Sequence, residues 1–327
     1  MRLALTVALT GLALCAPAFD RAEWLGKGAM LDGEAERLRA LYAKCAAQAK
    51  TPAENVVLPV ETFPDGTVKS SVSAERAFYC LDEGIIWGER VTLTQRRADG
   101  SVEAEVKADS CVVDRETRSG WAEGAAKATY GRNTLSGKDV YFSLAERFFK
   151  VYDGTRLTAE GFRFGSGLEA VAAKGDGAGK PAKGAADGAR ATLTARRADY
   201  DNAEGVVMFD GAVRIDDGEY FLGGNRLWVF TDGTNDLSRI EVVGDVWVTN
   251  GLRNASCDAA TYDRREGKLV MASSARTTAR LVELGKNGAE ICGETITFWV
   301  DSEQVEVSRS TVTIGKGAGK ELWKRTL

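Results

Sequence analysis

The sequence predicts a mainly β protein, a V-shaped antiparallel sheet in two stacked modules behind a short N-terminal helix. Three observations predict it. Short runs of alternating apolar and polar residues fill most of the 327 residues, separated by turn pairs such as Asp99-Gly100, Asp217-Gly218 and Asn250-Gly251. The chain holds 36 glycines but only 5 prolines, which suits many strands joined by tight turns. A phrase Ala-x-Tyr-Asp-x-x-Glu-Gly occurs at 198–205 and again at 260–267, with a degenerate copy at 77–84. The tyrosines of the two full copies lie 262 − 200 = 62 residues apart, and that of the third lies 200 − 79 = 121 upstream. Recurrence at this spacing points to one repeated strand-turn-strand unit. It also devalues the acids inside the phrase as catalysts.

The first 18 residues predict a cleavable secretory signal: Arg2, an apolar run over 3–14, and Ala16-Pro17-Ala18 before Phe19. The run is short of the roughly 20 apolar residues a membrane-spanning helix needs. Cys15 leaves open a lipoprotein reading, although Leu14 stands where a small residue would be expected. Within 19–50, Leu31, Ala35, Leu38, Leu41, Tyr42 and Cys45 recur at steps of three and four, so an amphipathic helix over 32–49 should pack on the end of a sheet. Residues 51–164 read as a first β module, with strands near 68–72, 85–93, 102–106 and 140–142. Residues 165–190, rich in Gly, Ala and Lys, read as a linker. Residues 191–315 carry the strongest strand pattern, and 316–327 form a tail.

In that second module several long strands carry a glycine near the middle: Gly211, Gly223-Gly224 and Gly244. An interior glycine weakens a strand, so its recurrence predicts a bulge or bend, and a bent strand contributes to two facing sheets. Alternation sets the facing. Arg214 separates Val213 from Ile215, Glu241 separates Ile240 from Val242, and Thr297 separates Ile296 from Phe298, so the aliphatic members should face inward. In the repeated phrase, Asp201 or Asp263 can close a turn through its carboxylate, and Gly205 or Gly267 accepts the backbone angle that follows.

The balance of 43 basic and 47 acidic residues gives a net charge of −4, which offers no basic field for nucleic acid. The chain has no histidine, which removes the usual serine and cysteine triads and the common zinc-hydrolase sites. No cofactor is expected. Gly165-x-Gly167 and Gly175-x-Gly177 lie in low-complexity sequence rather than between a strand and a helix. Asp216-Asp217 precedes Gly218 between two strands, so a hairpin turn is preferred to a carboxylate pair. The doublets Arg96-Arg97, Arg196-Arg197 and Arg264-Arg265 lie near strand ends, as exposed charges or as contacts to a phosphate. After signal cleavage five cysteines remain, and one bridge per module would pair Cys80 with Cys111 and Cys257 with Cys292. Small buried thiols that never pair remain the alternative.

The strands beginning at Glu204, Asn225 and Ile240, followed by Ala260-Thr-Tyr-Asp, resemble the OstA-like, LptA-type periplasmic lipopolysaccharide-export family over about 191–314. Residues 56–164 share the logic more loosely, as a second copy or as a likeness to the LptC type. The resemblance implies an open β-jellyroll with no catalytic residues. It implies an inward apolar groove for the acyl chains of lipid A, here Val206, Met208, Val213, Ile215, Leu227, Val229, Ile240, Val242, Val246, Val248, Leu269, Met271, Ile296 and Phe298. Its implied partners are lipopolysaccharide, other jellyroll proteins of the pathway at the inner and outer membranes, and further copies of this chain head to tail. A structural or assembly β-protein of the envelope without lipid cargo is the alternative.

Overall fold

A computed structural model describes residues 19–131, 133–160, 190–231, 237–274, 277–284, 289–300, 302, 304–309 and 311–314, the last four by backbone only. The proposed signal, most of the proposed linker and the tail therefore lie outside the described residues.

One helix, α1 (Arg21–Gln48), precedes nineteen described strands. In the first half these are β1 (Ala53–Thr62), β2 (Val68–Cys80), β3 (Ile85–Arg96), β4 (Val102–Asp114), β5 (Ser119–Tyr130), β6 (Asn133–Ser143) and β7 (Phe148–Glu160). Next come β8 (Arg190–Ala195), β9 (Arg197–Asp201), β10 (Val206–Asp216), β11 (Phe221–Thr231), β12 (Leu237–Thr249) and β13 (Arg253–Asp263). The last are β14 (Lys268–Ala272), β15 (Ala279–Glu283), β16 (Ala289–Gly293), β17 (Thr295–Trp299), β18 (Gln304–Ser308) and β19 (Thr311–Ile314). The fold is mainly β, an open antiparallel jellyroll.

All nineteen strands belong to one sheet. β7 pairs with β9 through Phe148–Val151 and with β8 through Thr155–Glu160, so the strands on either side of residues 161–189 are hydrogen-bonded neighbours. The long strands cross a line of bulges. Register shifts fall at Ala108/Ser110, Ala122/Ala125, Ser136/Lys138, Asp210/Val213, Gly223/Arg226 and Val243/Val246. Left-handed residues sit on the same line: Arg90, Gly124, Asp139, Gly154, Gly211 and Gly244. At each bulge the strand bends, and the sheet folds into two facing leaves as the interior glycines predict. Beyond β13 the leaves separate, one continuing through β14, β17 and β18, the other through β15, β16 and β19.

The repeated phrase forms turns at the tip of one leaf. Asp201 Oδ1 accepts from the amides of Ala203 and Glu204, and Asp263 Oδ1 from that of Glu266. Gly205 and Gly267 follow with φ of +64° and +58°. Asp114 makes the same turn ahead of Arg118, and Ser143 a similar one ahead of Arg147. The underlying repeat is therefore one up-and-down hairpin, and the 62-residue spacing spans two.

The helix departs from expectation in length and place. It begins at Arg21, eleven residues before Asp32 (32 − 21), because Asp20 Oδ1 accepts from the amides of Ala22 and Glu23 and caps it. It lies across the outer face of the leaf that carries these tips rather than at the end of the sheet. Its 28 residues span about 42 Å at about 1.5 Å each. Nine strands of that leaf, from β2 to β11, span about 38 Å at about 4.8 Å spacing. Trp24 meets Trp228 of β11 at 5.1 Å, and Cys45 is bonded to Cys80 of β2, so the helix straps both halves of the sheet.

The cysteine pairing is thereby corrected. Cys80 packs under the helix whereas Cys111 points between the leaves, so the two lie on opposite faces of the sheet. Cys257 and Cys292 are also unbonded. Cys292 aligns through Arg280 with Ser256, the neighbour of Cys257 that faces the other way. Cys45, expected to be the odd thiol, holds the bond.

Candidate functional site

Two apolar clusters flank the helix-covered leaf. One lies between the leaves and draws on strands β2 to β17; the other lies beneath α1. Facing follows from period 2. In β10, Val207, Phe209, Val213 and Ile215 point between the leaves, while Val206 and Met208 point under the helix. Two expected groove residues, Val206 and Met208, are therefore on the wrong side. The run Val-Val-Met-Phe shows no alternation because that strand is covered on both faces.

The other twelve expected residues do point between the leaves. Val213, Ile215, Leu227, Ile240, Val242, Val246, Leu269, Met271, Ile296 and Phe298 are buried in the inner cluster, and Val229 and Val248 pack against it. The first half supplies a smaller share that the alternation did not single out, including Val72, Leu93, Val106, Leu135, Phe142 and Leu157. Arg214 is exposed on the outer face, and Glu241 is half-buried and ion-paired to Arg21 of the helix.

The space between the leaves is uneven. Its widest part is a cavity of about 290 Å³ at the junction of the two halves. The floor is apolar: Val106, Leu135, Phe149 and Leu157 from one side, and Leu193, Val207, Phe209, Ile215 and Ile240 from the other. The rim is polar. Arg147, Asn202 and Arg264 line it from the tips of the helix-covered leaf, and Gln95, Glu103, Asn133 and Glu160 from the tips of the other. Tyr200 stacks on Phe149 at 6.3 Å and donates from its hydroxyl to Asn202 Oδ1 at 2.8 Å. Burial pushes its phenol up to about 12, so it stays neutral. Toward each end the space narrows, to about 40 Å³ around Leu222, Met271 and Phe298 and about 20 Å³ around Val72, Leu93 and Phe142. A water needs about 10–15 Å³ of such space, so each end has room for a water or a few and not for an acyl chain.

This arrangement can hold an apolar chain with a polar group at the rim. Burial raises the Cys111 and Cys257 thiols to about 12, which keeps these inward sulfurs protonated and inert. Among the described residues no group of three potential metal ligands occurs. Asp216 and Asp217 close the β10–β11 turn, accepting from the amides of Gly218, Glu219 and Tyr220. The Arg doublets divide. Arg96 caps the Gly100 carbonyl, Arg197 stacks on Tyr152 at 5.0 Å, and only Arg264 reaches the cavity rim. The two Gly-x-Gly pairs lie outside the described residues. No helix among the described residues is long and apolar enough to cross a membrane.

Residues 192–304 match the family model described as LptA/(LptD N-terminal domain) LPS transport protein. No curated protein matches the chain. Among solved structures, a match is the crystal structure of LptH, the LptA homologous periplasmic component of the conserved lipopolysaccharide transport device from Pseudomonas aeruginosa. It is 17% identical, covers 38% of this chain and 92% of its own, and has a TM-score of 0.33.

Proposed function

We propose that this chain, whose residues 192–304 form a domain of the LptA/LptD N-terminal type, is a non-enzymatic carrier of lipopolysaccharide in the periplasm. The observation that carries this reading is the cavity of about 290 Å³ with an apolar floor and a polar rim. Acyl chains leaving a membrane lose about 0.8 kcal/mol of apolar burial per methylene, and an inward aliphatic floor restores it. The rim of Arg147, Asn202 and Arg264 suits the polar head of the same molecule.

The sheet ends support edge-to-edge bridging between membranes. Among the described residues β1 pairs only with β2, while β18 and β19 leave two separate edges at the far end. Open edges are where strands of a partner add. Those partners would be other jellyroll proteins at the inner and outer membranes, or further copies of this chain. In this reading 51–164 and 191–315 act as two stacked modules, and the cavity lies where they meet. The narrow ends favour the alternative, an envelope assembly protein without cargo, because a lipid could pass them only if side chains move aside.

Photo-crosslinking separates the two. With probes placed singly at Phe209, Ile215 and Ile240, lipopolysaccharide should be captured. Probes at Val206 and Met208, beneath the helix, and at Arg214, outside, should capture none. Equal labelling of all six positions, or of none, would leave the assembly reading standing.

A further inference from the structure

Away from the cavity, at the bend of the first half, four cations line a groove of about 560 Å³: Arg90, Lys107, Lys127 and Lys138, with one carboxylate, Asp109. They come from four successive strands, β3 to β6. Lys107 and Lys127 stand on the outer face, because their neighbours Val106, Ala108 and Ala126 pack between the leaves. The register sets Lys107 directly opposite Lys127. Side chains so paired have Cβ atoms about 4.5–5.5 Å apart, and like charges there destabilise the sheet. Lys127 next faces Ser136, and Ser136 faces Arg156, so the row crosses β4 to β7 without an acid. Arg90 is ion-paired to Glu75 and Lys107 to Glu105 at 2.7 Å. Among the described residues Lys127 and Lys138 form no ion pair.

Nothing in the packing requires this concentration. All four cations are exposed. The groove exists because the bulges that bend β3 to β7 put left-handed residues side by side, at Arg90, Gly124, Asp139 and Gly154. We propose that this groove binds a phosphate-bearing ligand, with Lys107 and Lys127 holding its oxygens and Lys138 and Arg90 closing the flank. Ammonium groups act on phosphate as point charges and need no fixed approach, which suits two lysines set side by side. Thr92, also on the lining, supplies a hydroxyl donor. Lys107 and Lys127 face away from the space between the leaves, so the proposal stands whether or not that space carries lipid.

The test is isothermal titration calorimetry of the full chain with inorganic triphosphate at low ionic strength, beside flotation with phosphatidylglycerol vesicles. Wild type should bind, and Lys107→Gln/Lys127→Gln should weaken binding at least tenfold, with Arg265→Gln, in a distant exposed turn, unchanged. Melting curves guard against misfolding: ligand-free Lys127→Gln should melt no lower than wild type, since it relieves the like-charge pair. Binding of triphosphate assigns the site to a free phosphorylated ligand. Binding of vesicles alone, lost in the double variant, assigns it to a lipid headgroup. No binding in either arm, or equal binding by wild type and double variant, overturns the proposal.

Discussion

Lys150 is 2% exposed, and its ammonium is fully engaged beneath the helix. It donates to the Gly28 carbonyl at 2.8 Å, reaches Asp32 at 2.7 Å, and lies 3.4 Å from Asp199. The side chain stands on the outer face of β7, where a polar residue would ordinarily meet water, and the helix buries it. Removing one member of a buried ion pair leaves the other charge without a partner, at about 3–5 kcal/mol. Lys150→Met should therefore lower unfolding free energy by about that amount, measured by urea titration, because Asp199 remains desolvated. Adding Asp199→Leu should recover a large part of the loss. A Lys150→Met variant as stable as wild type would show that the helix does not rest on this ammonium. The alternation of β7 marks Lys150 as outward, but no local signal says that a helix 122 residues earlier covers it.

At the scale of one element, α1 is held at both ends by different chemistry. Near its start Phe19 and Trp24 pack with Trp228 and Phe230, and near its end Cys45 is bonded to Cys80 across 35 residues of sequence. Cross-linking a loop of that length typically contributes about 2–4 kcal/mol. Cys45→Ala/Cys80→Ala should lose stability on that scale in urea unfolding, and an undiminished midpoint would show that the bond does not constrain the chain.

Between the ends the contacts are ionic and pH-dependent. Burial opposes ionisation of Asp32, but hydrogen bonds from Lys150 and Tyr152 outweigh it and hold the group below the usual carboxylate range. Arg37 does the same for Glu34, and for Asp114 it and two backbone amides outweigh burial. For groups lowered in the folded state, the stability they contribute is present above the unfolded value of about 4 and is lost as pH falls through the folded value. Asp199 runs the other way, since burial raises it and acid relieves the strain. With three carboxylates against one, acidification from neutral pH to about 3 should loosen α1 first. Hydrogen exchange, corrected for the intrinsic rate, should quicken in α1 before it does in β4 and β5. Simultaneous exposure of helix and strands would contradict this order. The second half of the helix was legible from the steps of three and four ending at Cys45. Its first turns were not, because Gly26, Gly28 and Gly33 interrupt the pattern and the cap at Asp20 lies outside the periodic stretch.

At the scale of the whole molecule, what was legible and what was not divide by range. Bent strands, inward aliphatics and closing aspartates are set by neighbours in sequence, so glycine placement and alternation revealed them. The disulfide, the second face of β10 and the cavity at the junction depend on elements far apart in the chain meeting across the sheet. Those same long-range contacts argue that the second half does not stand alone. A fragment of residues 190–314 would lose β7, leaving the edges of β8 and β9 open. It would also lose α1, uncovering Val206, Met208, Trp228 and Phe230, which are buried beneath it. An exposed apolar patch beside an unpaired edge favours aggregation. The fragment should bind a hydrophobic dye and scatter light where the full chain does not, and a peptide of residues 19–48 should suppress the dye signal. Trp228 is the critical anchor, so Trp24→Ala in that peptide should abolish the suppression. A fragment that stays monomeric and dye-negative would mean that the strap closes an interface the module does not need.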